Sequence, residues 1–331
     1  MSFLSKKSKS KSTRLYFATD VHGSERTYRK FINAGKFYEA DVLVMGGDIT
    51  GKMLIPIIDQ GNGNYRATLQ GAVEQITTQE ELEKLEERLR TLGFYYKVMQ
   101  EDEFKHLQDN ETEVEKLFHE ESRQRLSDWV DLAETRLGGT GIKLFVTGGN
   151  DDDPEVLQVI KKEQRDSFVA CEGEAVMIDD THPMISIGYS TYTPWDTPRE
   201  VSDEELGVMI EEMIAKVAEP GKSIFNFHDP PSNSTLDTCP KLDWDTDPPT
   251  PIVEAGQIIM HGAGSKSVRS AIEKYQPLLG LHGHIHESQS VAKIGKSTCI
   301  NPGSEYGEGV LRGCIVIMNE GKIEGYQMTR G

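Results

Sequence analysis

Five short apolar runs in this chain each stop at Asp, Asn or His, and no other feature restricts the fold as much. Leu15-Tyr-Phe-Ala-Thr runs into Asp20, Val42-Leu-Val-Met-Gly-Gly into Asp48, and Leu144-Phe-Val-Thr-Gly-Gly into Asn150. Ile224-Phe-Asn-Phe ends at His228, and Leu278-Leu-Gly-Leu-His-Gly ends at His284 and His286. Runs this short, rich in branched and aromatic residues and bounded by Gly or Asp, read as buried central strands of an α/β sheet. Helical patterns over 27–37 and 268–275 separate some of them. Groups that bind ligands in such sheets gather beyond the carboxyl ends of the strands, so polar strand ends in this number imply one shared site.

A length of 331 residues fits one large α/β domain over 14–331 with an insertion, since such domains often reach about 250 residues. Residues 1–13 are Ser/Lys-rich and aperiodic and read as a disordered tail. Acidic residues number 54 against 36 basic ones, for a net charge of −18, the opposite of what nucleic-acid binding needs. No apolar stretch is long enough to span a membrane, and the Lys-rich start lacks the apolar segment of a secretion signal, so the expected location is cytoplasmic. Cys171, Cys239, Cys299 and Cys314 are spaced neither as a disulfide framework nor as a metal motif and read as free thiols.

Segments 52–58 and 65–70, joined by Gly61-Asn-Gly-Asn64, read as a hairpin, because Asn-Gly pairs tolerate the positive φ its turn requires. Over about 72–138 the chain becomes strongly charged. Leu82, Leu85, Leu89 and Leu92 recur at helical spacing behind a capping box at Thr78 and Glu81, and a second amphipathic stretch carries Phe104, Leu107, Val114, Phe118, Leu126 and Trp129. This predicts a helical insertion that packs on the core or on a second copy of the chain, giving a homo-oligomer, or that lids the site.

Asp20-Val-His22 offers a carboxylate and an imidazole to one ion, and the two oxygens of Asp48 can bridge two ions. Asn150 adds an amide oxygen and His228 an imidazole. His284 and His286, two residues apart, are predicted to point the same way from an extended segment. Glycines before Asp48, Asn150 and His284 allow close approach. Oxygen and imidazole donors without thiolate suit Mn²⁺ first, with Fe or Zn²⁺ as alternatives.

This ordered set, DxH, GD, GN, H and GHxH, resembles the calcineurin-like metallophosphoesterase superfamily over residues 14–60, 142–153, 222–232 and 278–310. His228-Asp-Pro-Pro231, His282-Gly-His-Ile-His-Glu287 and Ile300-Asn-Pro-Gly-Ser304 are similar to its Icc-related branch of phosphoesterases. The resemblance implies a four-layer α/β/β/α sandwich of two mixed sheets with two divalent metal ions at the sheet edge. One ion would be held by Asp20, His22, Asp48 and His286, the other by Asp48, Asn150, His228 and His284. It also implies hydrolysis of a phosphorylated small molecule, with a water bridging the ions as nucleophile and Asp48, Asn150, Asp151 and His228 in the catalytic group. A phosphomonoesterase or protein phosphatase-like activity is an alternative, as is a scaffold that binds metal without turnover. The complete set of seven ligand positions weighs against the scaffold.

The chain departs from the pattern at Asp151, which stands where the family commonly has a histidine acid before the acidic residue, here Asp152. A carboxylic acid donates a proton near neutrality only with a strongly raised pKa, so a substrate with an acidic leaving group is favoured, such as a diester, a cyclic phosphoester or a nucleotide pyrophosphate. Trp195 and Arg199, in Thr193-Pro-Trp-Asp-Thr-Pro-Arg199, and Asp229 are candidate substrate contacts. Gly262-Ala-Gly-Ser-Lys-Ser267 lacks the Gly before Lys that a phosphate loop needs, and Ser267 is predicted to cap the following helix. Asp243-Trp-Asp-Thr-Asp247 opens like a calcium loop, but Pro248 takes the place of the required Gly, which leaves an acidic surface loop. His106, His119, His182 and His261 read as packing or solvent-facing residues.

Overall fold

The computed structural model describes residues 12–331 except residue 247. Its central strands are apolar on both sides, so each buries two faces against different partners. Along Thr13–Ala18, Leu15 and Phe17 point one way and Tyr16 and Ala18 the other, as a period of two requires. Leu15 and Phe17 share an apolar layer with Met184, Ile224, Leu281 and Val316, whereas Tyr16 and Ala18 pack with Phe31, Trp129 and Ile160. Val42–Gly46 divides in the same way, with Val42 and Val44 opposed to Leu43 and Met45. In the second sheet Ile185, Ile187, Phe225 and Phe227 turn outward onto Leu206, Ile210, Val268 and Ile272 of helices Asp203–Ile214 and Lys266–Tyr275. The layers are therefore helix, sheet, sheet and helix, as expected.

Both six-stranded sheets are mixed. The first runs Lys322–Arg330, Arg312–Asn319, Thr13–Ala18, Val42–Gly46, Lys143–Thr147 and Phe168–Ala170, parallel from the third strand onward. The second runs Ser290–Ile294, Ser297–Asn301, Leu279–Leu281, Ile224–Phe227, Pro183–Ile187 and Ala175–Met177, parallel over its four central strands. Among the described residues no helix is long and apolar enough to cross a membrane.

The first strand begins at Thr13, one residue inside the expected tail, whose residues 1–11 lie outside the described residues. Thr13 is held because its hydroxyl donates to Asp179 Oδ2 at 2.5 Å, tying this strand to the loop before Pro183–Ile187. Burial alone would raise the Asp179 carboxyl, but hydrogen bonds from His182, Thr13 and the Thr181 and His182 amides outweigh it and hold the group well below the usual carboxylate range. With the folded pKa depressed, this contribution to stability is complete above the unfolded value of about 4 and is lost as pH falls below it. Asp179→Asn is therefore expected to lower the melting temperature at pH 7 and to flatten its decline between about pH 4 and 2, as read by thermal melts across that range.

The stretch 72–138 differs from an all-helical insertion. It holds helices Gln79–Leu92, Glu101–Gln108 and Glu111–Leu137, but also strands Ala72–Ile76 and Tyr95–Gln100. These strands flank the expected hairpin, Leu54–Gly61 and Asn64–Leu69, in a four-stranded sheet covered by Leu82, Leu85 and Leu89. Both strands are short and border charged helices, Ala72–Ile76 on one side and Tyr95–Gln100 on both, so a two-residue period has little length in which to emerge. The last helix joins the outer helical layer of the core, where Trp129 stacks on Tyr28 with ring centroids 3.9 Å apart.

The small sheet meets the core through glycines. A Cβ on Gly93, which has φ 81°, would lie 1.9 Å from the carbonyl oxygen of His22, and one on Gly51 would lie 2.1 Å from that of Gly93. Helix Lys266–Tyr275 is capped by Ser265, which accepts from the Val268 amide, and not by Ser267. The Ser267 hydroxyl donates instead to Asp203, joining the two helices of the outer layer.

Candidate metal centre

The carboxyl ends of parallel strands from both sheets meet at one place. Asp20 and His22 follow Thr13–Ala18, Asp48 follows Val42–Gly46 and Asn150 follows Lys143–Thr147. From the other sheet, His228 follows Ile224–Phe227, and His284 and His286 follow Leu279–Leu281. Asp20, His22, Asp48 and His286 each place one donor atom within 4.8 Å of the others. His228 Nε2 lies 3.4 Å from Asp48 Oδ2 and 3.8 Å from Asp20 Oδ1, and His284 Nδ1 lies 2.7 Å from Asn150 Oδ1. All seven expected ligand residues thus converge, and Asp48 contacts both halves.

Four of the seven are not presented from extended backbone. Asp20, His22, Asp48 and His284 have φ of 54°, 40°, 48° and 68°, so the predicted strand-like geometry of the His284/His286 pair gives way to a left-handed turn. Asp and His tolerate this region better than most residues, yet each such position costs about 1–3 kcal/mol and persists only where its surroundings fix it. Here the loops fix one another: the Asp20 amide donates to Gly47 O and that of His22 to Asp48 O, both at 2.9 Å, while the His284 amide donates to the Asp20 carboxylate at 3.1 Å. The close approach requires glycine, since a Cβ on Gly149 would lie 2.1 Å from Asp48 Oδ1 and one on Gly47 2.5 Å from His228 Nδ1.

A further set of buried polar groups braces these loops. The Asp152 carboxylate accepts from the amides of Ile49, Thr50 and Gly149 and from the Thr50 hydroxyl, so one side chain holds the Asp48 and Asn150 loops together. Asn301 Nδ2 donates to Gly283 O and Ile285 O, and the Ser304 hydroxyl donates to Asp20 O at 2.6 Å. Asn150 Nδ2 donates to Thr197 Oγ1 at 2.9 Å, which aims its amide oxygen at His284.

Two buried carboxylates in this space call for positive charge. Burial works against protonation of His228, but Asp48 and Asp20 overcome it and push its pKa up to about 10. Asp20 is raised by burial yet brought down to about 2 by its bond to His286 and by His228. Burial and the neighbouring His228 hold His284 down to about 4, leaving its imidazole neutral with a lone pair to donate. The centre fits divalent cations: oxygen and nitrogen donors are combined, and among the buried side-chain atoms without a hydrogen-bond partner are His228 Nε2 and His22 Nδ1. A cation on these donors supplies the charge that the His228 proton otherwise provides.

Asp151 lies at the rim, its amide donating to Asp48 Oδ1 at 3.0 Å and its carboxylate 3.6 Å from His22 Nδ1. Burial and then Asp48 push its pKa up to about 6, against the opposing Lys52. Two expected substrate contacts are placed otherwise. Arg199 is 3% exposed, pairs with Glu172, donates to Gly149 O at 3.1 Å and lies over the Tyr189 ring, so its charge supports the Asn150 loop from beneath. Asp229 is buried and accepts from the amide and hydroxyl of Thr191, so it fixes a neighbouring loop. Trp195 is exposed, its ring 5.9 Å from that of Trp244.

Sequence reasoning missed Lys52, Thr197 and Tyr306, whose ring lies 4.5 Å from that of His22. Lys52 lies in a connection with no chemical motif, and Thr197 lies within Thr193–Arg199, of which only Trp195 and Arg199 drew attention. Tyr306 lies two residues after the Asn-Pro-Gly-Ser stretch, and that turn signal was the one available pointer to it.

No family model matches the chain. An uncharacterized protein of Methanocaldococcus jannaschii is 32% identical over 164 residues, which is 49% of this chain and 64% of that protein, less than two thirds of its length. Among solved structures, one crystal structure aligns with a TM-score of 0.54 at 15% identity over 97% of this chain and 99% of its own. TT1561 of Thermus thermophilus aligns with a TM-score of 0.51 at 11% identity over the same shares of the two chains. An archaeal phosphodiesterase aligns at a TM-score of only 0.33 and 11% identity over 96% of this chain and all of its own, too weak to bear on either fold or function. At these identities the first two structures speak to the fold alone. The architecture is two packed mixed sheets between helical layers, with a buried Asp/His cluster at their common edge.

Proposed function

We propose that the protein is a metal-dependent phosphoester hydrolase of the calcineurin-like superfamily, in its Icc-related branch. The carrying observation is the convergence of seven oxygen and imidazole donors from both sheets, with buried donor atoms left without partners. Asp20, His22, Asp48 and His286 would hold one ion and Asp48, Asn150, His228 and His284 the second, with Mn²⁺ the first choice. Bound there, the ions polarise phosphoryl oxygens and neutralise the charge of attacking and leaving groups.

The chain's own residues supply the rest. Asp48 ties the two halves together, Asp152 and Asn301 fix the ligand loops, and Asn150 is aimed by Thr197. With a carboxylate at position 151, a diester or nucleotide-type substrate whose leaving group departs readily is favoured over an alkyl monoester. Trp195 supports this reading: the residue is 62% exposed beside Trp244, and it is two residues from Thr197, which is bonded to Asn150. Such a pair suits a planar aromatic group on the substrate. Four free thiols suit the reducing cytoplasm.

The test is a purified, metal-reconstituted sample assayed on p-nitrophenyl phosphate, bis-p-nitrophenyl phosphate, cyclic nucleotides and nucleotide diphosphate conjugates. Turnover that vanishes with chelator and returns with Mn²⁺ is expected. Metal binding without turnover of any ester would establish the scaffold reading instead.

A further inference from the structure

Lys52 belongs to no ligand set, yet its charge stands at the mouth of the centre. Its ammonium lies 2.5 Å from Asp151 Oδ2, and that same oxygen is 3.6 Å from His22 Nδ1. The backbone beneath it is anchored, because the Thr50 amide and hydroxyl donate to Asp152 and the Gly51 amide donates to the Tyr95 hydroxyl. The side chain itself is 45% exposed, so one side of the ammonium faces the ligand cluster and the other faces solvent. Other cations near the ligand loops are buried and committed, Arg199 to Glu172 and Gly149 and Arg125 to Gly23 and Glu25.

An ammonium carries three donors, and Asp151 takes one of them. The whole molecule has a net charge of −18, which opposes the approach of an anionic ester and gives a local positive charge at the mouth added weight. We propose that Lys52 is a substrate-binding residue that donates to a phosphoryl oxygen of the ester at the metal centre, and that Asp151 holds its ammonium in position. The ammonium keeps its bond to Asp151 and turns a second hydrogen to the incoming oxygen, so no bond to the reacting phosphorus is made or broken by Lys52. This inference rests on the hydrolase reading above.

The experiment compares the wild type with Lys52→Met, Lys52→Arg, Asp151→Asn and the Lys52→Met/Asp151→Asn pair, all Mn²⁺-loaded. It reads KM and kcat on the best p-nitrophenyl ester, the affinity for inorganic phosphate by calorimetry, and metal content. Lys52→Met is expected to weaken phosphate binding roughly ten- to hundredfold, the scale of one charged hydrogen bond, with metal content unchanged and Lys52→Arg largely restored. A smaller but clear loss is expected when Lys52→Met is made in the Asp151→Asn background, since the amide oxygen still accepts from the ammonium but holds it less firmly. No loss in that background would mean that Lys52 serves only to neutralise Asp151, and unchanged phosphate affinity in Lys52→Met would equally overturn the proposal. Wild-type protein that turns over no ester would remove the hydrolase reading alone, since the phosphate titration still reports on Lys52.

Discussion

Asp48→Asn is expected to strip metal from both halves of the centre at once. Its carboxylate lies 3.6 Å from His22 Nε2 on one side and 3.4 Å from His228 Nε2 on the other, and both contacts are made by the same oxygen, Oδ2. The amide keeps the size of the side chain but gives up the negative charge and turns one oxygen into a donor. Changes to groups that only orient ligands typically cost 10–100-fold in metal affinity, so the loss of this shared ligand should exceed about a hundredfold and reduce turnover at least as much. Elemental analysis of the purified variant is the direct measurement. Full occupancy would remove Asp48 as the shared ligand.

The second large effect is expected at a residue that touches no ion. Asp152→Ala leaves the buried amides of Ile49, Thr50 and Gly149 without their acceptor. A buried donor left unsatisfied costs about 1–3 kcal/mol, so a total loss of about 3 kcal/mol or more is expected, with a melting temperature several degrees lower. Because the same carboxylate joins the Asp48 and Asn150 loops, metal affinity should fall as well, by about 10–100-fold. A variant that melts like the wild type and keeps its metal would show that these loops hold their shape without Asp152.

The parts of this molecule legible in the sequence are those in which a short apolar run meets a polar stop. Val42–Gly46 is buried along its whole length and hands directly over to Asp48, so strand and ligand announce each other. That these strands are buried on both faces was readable for the same reason, since Leu15 and Tyr16 are both apolar although they face different layers, whereas the four-layer stacking was implied by the family resemblance. The left-handed conformations of Asp20, His22 and His284 were not readable, because long-range hydrogen bonds impose them, such as the one from His284 N to Asp20, 264 residues away in the chain. Arg199 misled for a related reason: a guanidinium beside a tryptophan suggests a phosphate contact, and only the tertiary fold supplies Glu172 as its partner. Strands Ala72–Ile76 and Tyr95–Gln100 were hidden by their shortness and by the charged helices that border them.

The glycine contact at Gly93 gives the small four-stranded sheet a fixed end and a free one. At the fixed end the chain abuts the carbonyl of His22, with no room for even one added carbon. At the free end, the hairpin tip, a Cβ on Gly61 or Gly63 would meet nothing within 4 Å. The hairpin tip is therefore a handle: a fluorophore, an affinity tag or an inserted peptide can be carried there, a whole sheet away from the ligand loops, while the turn at Gly93 admits no such cargo.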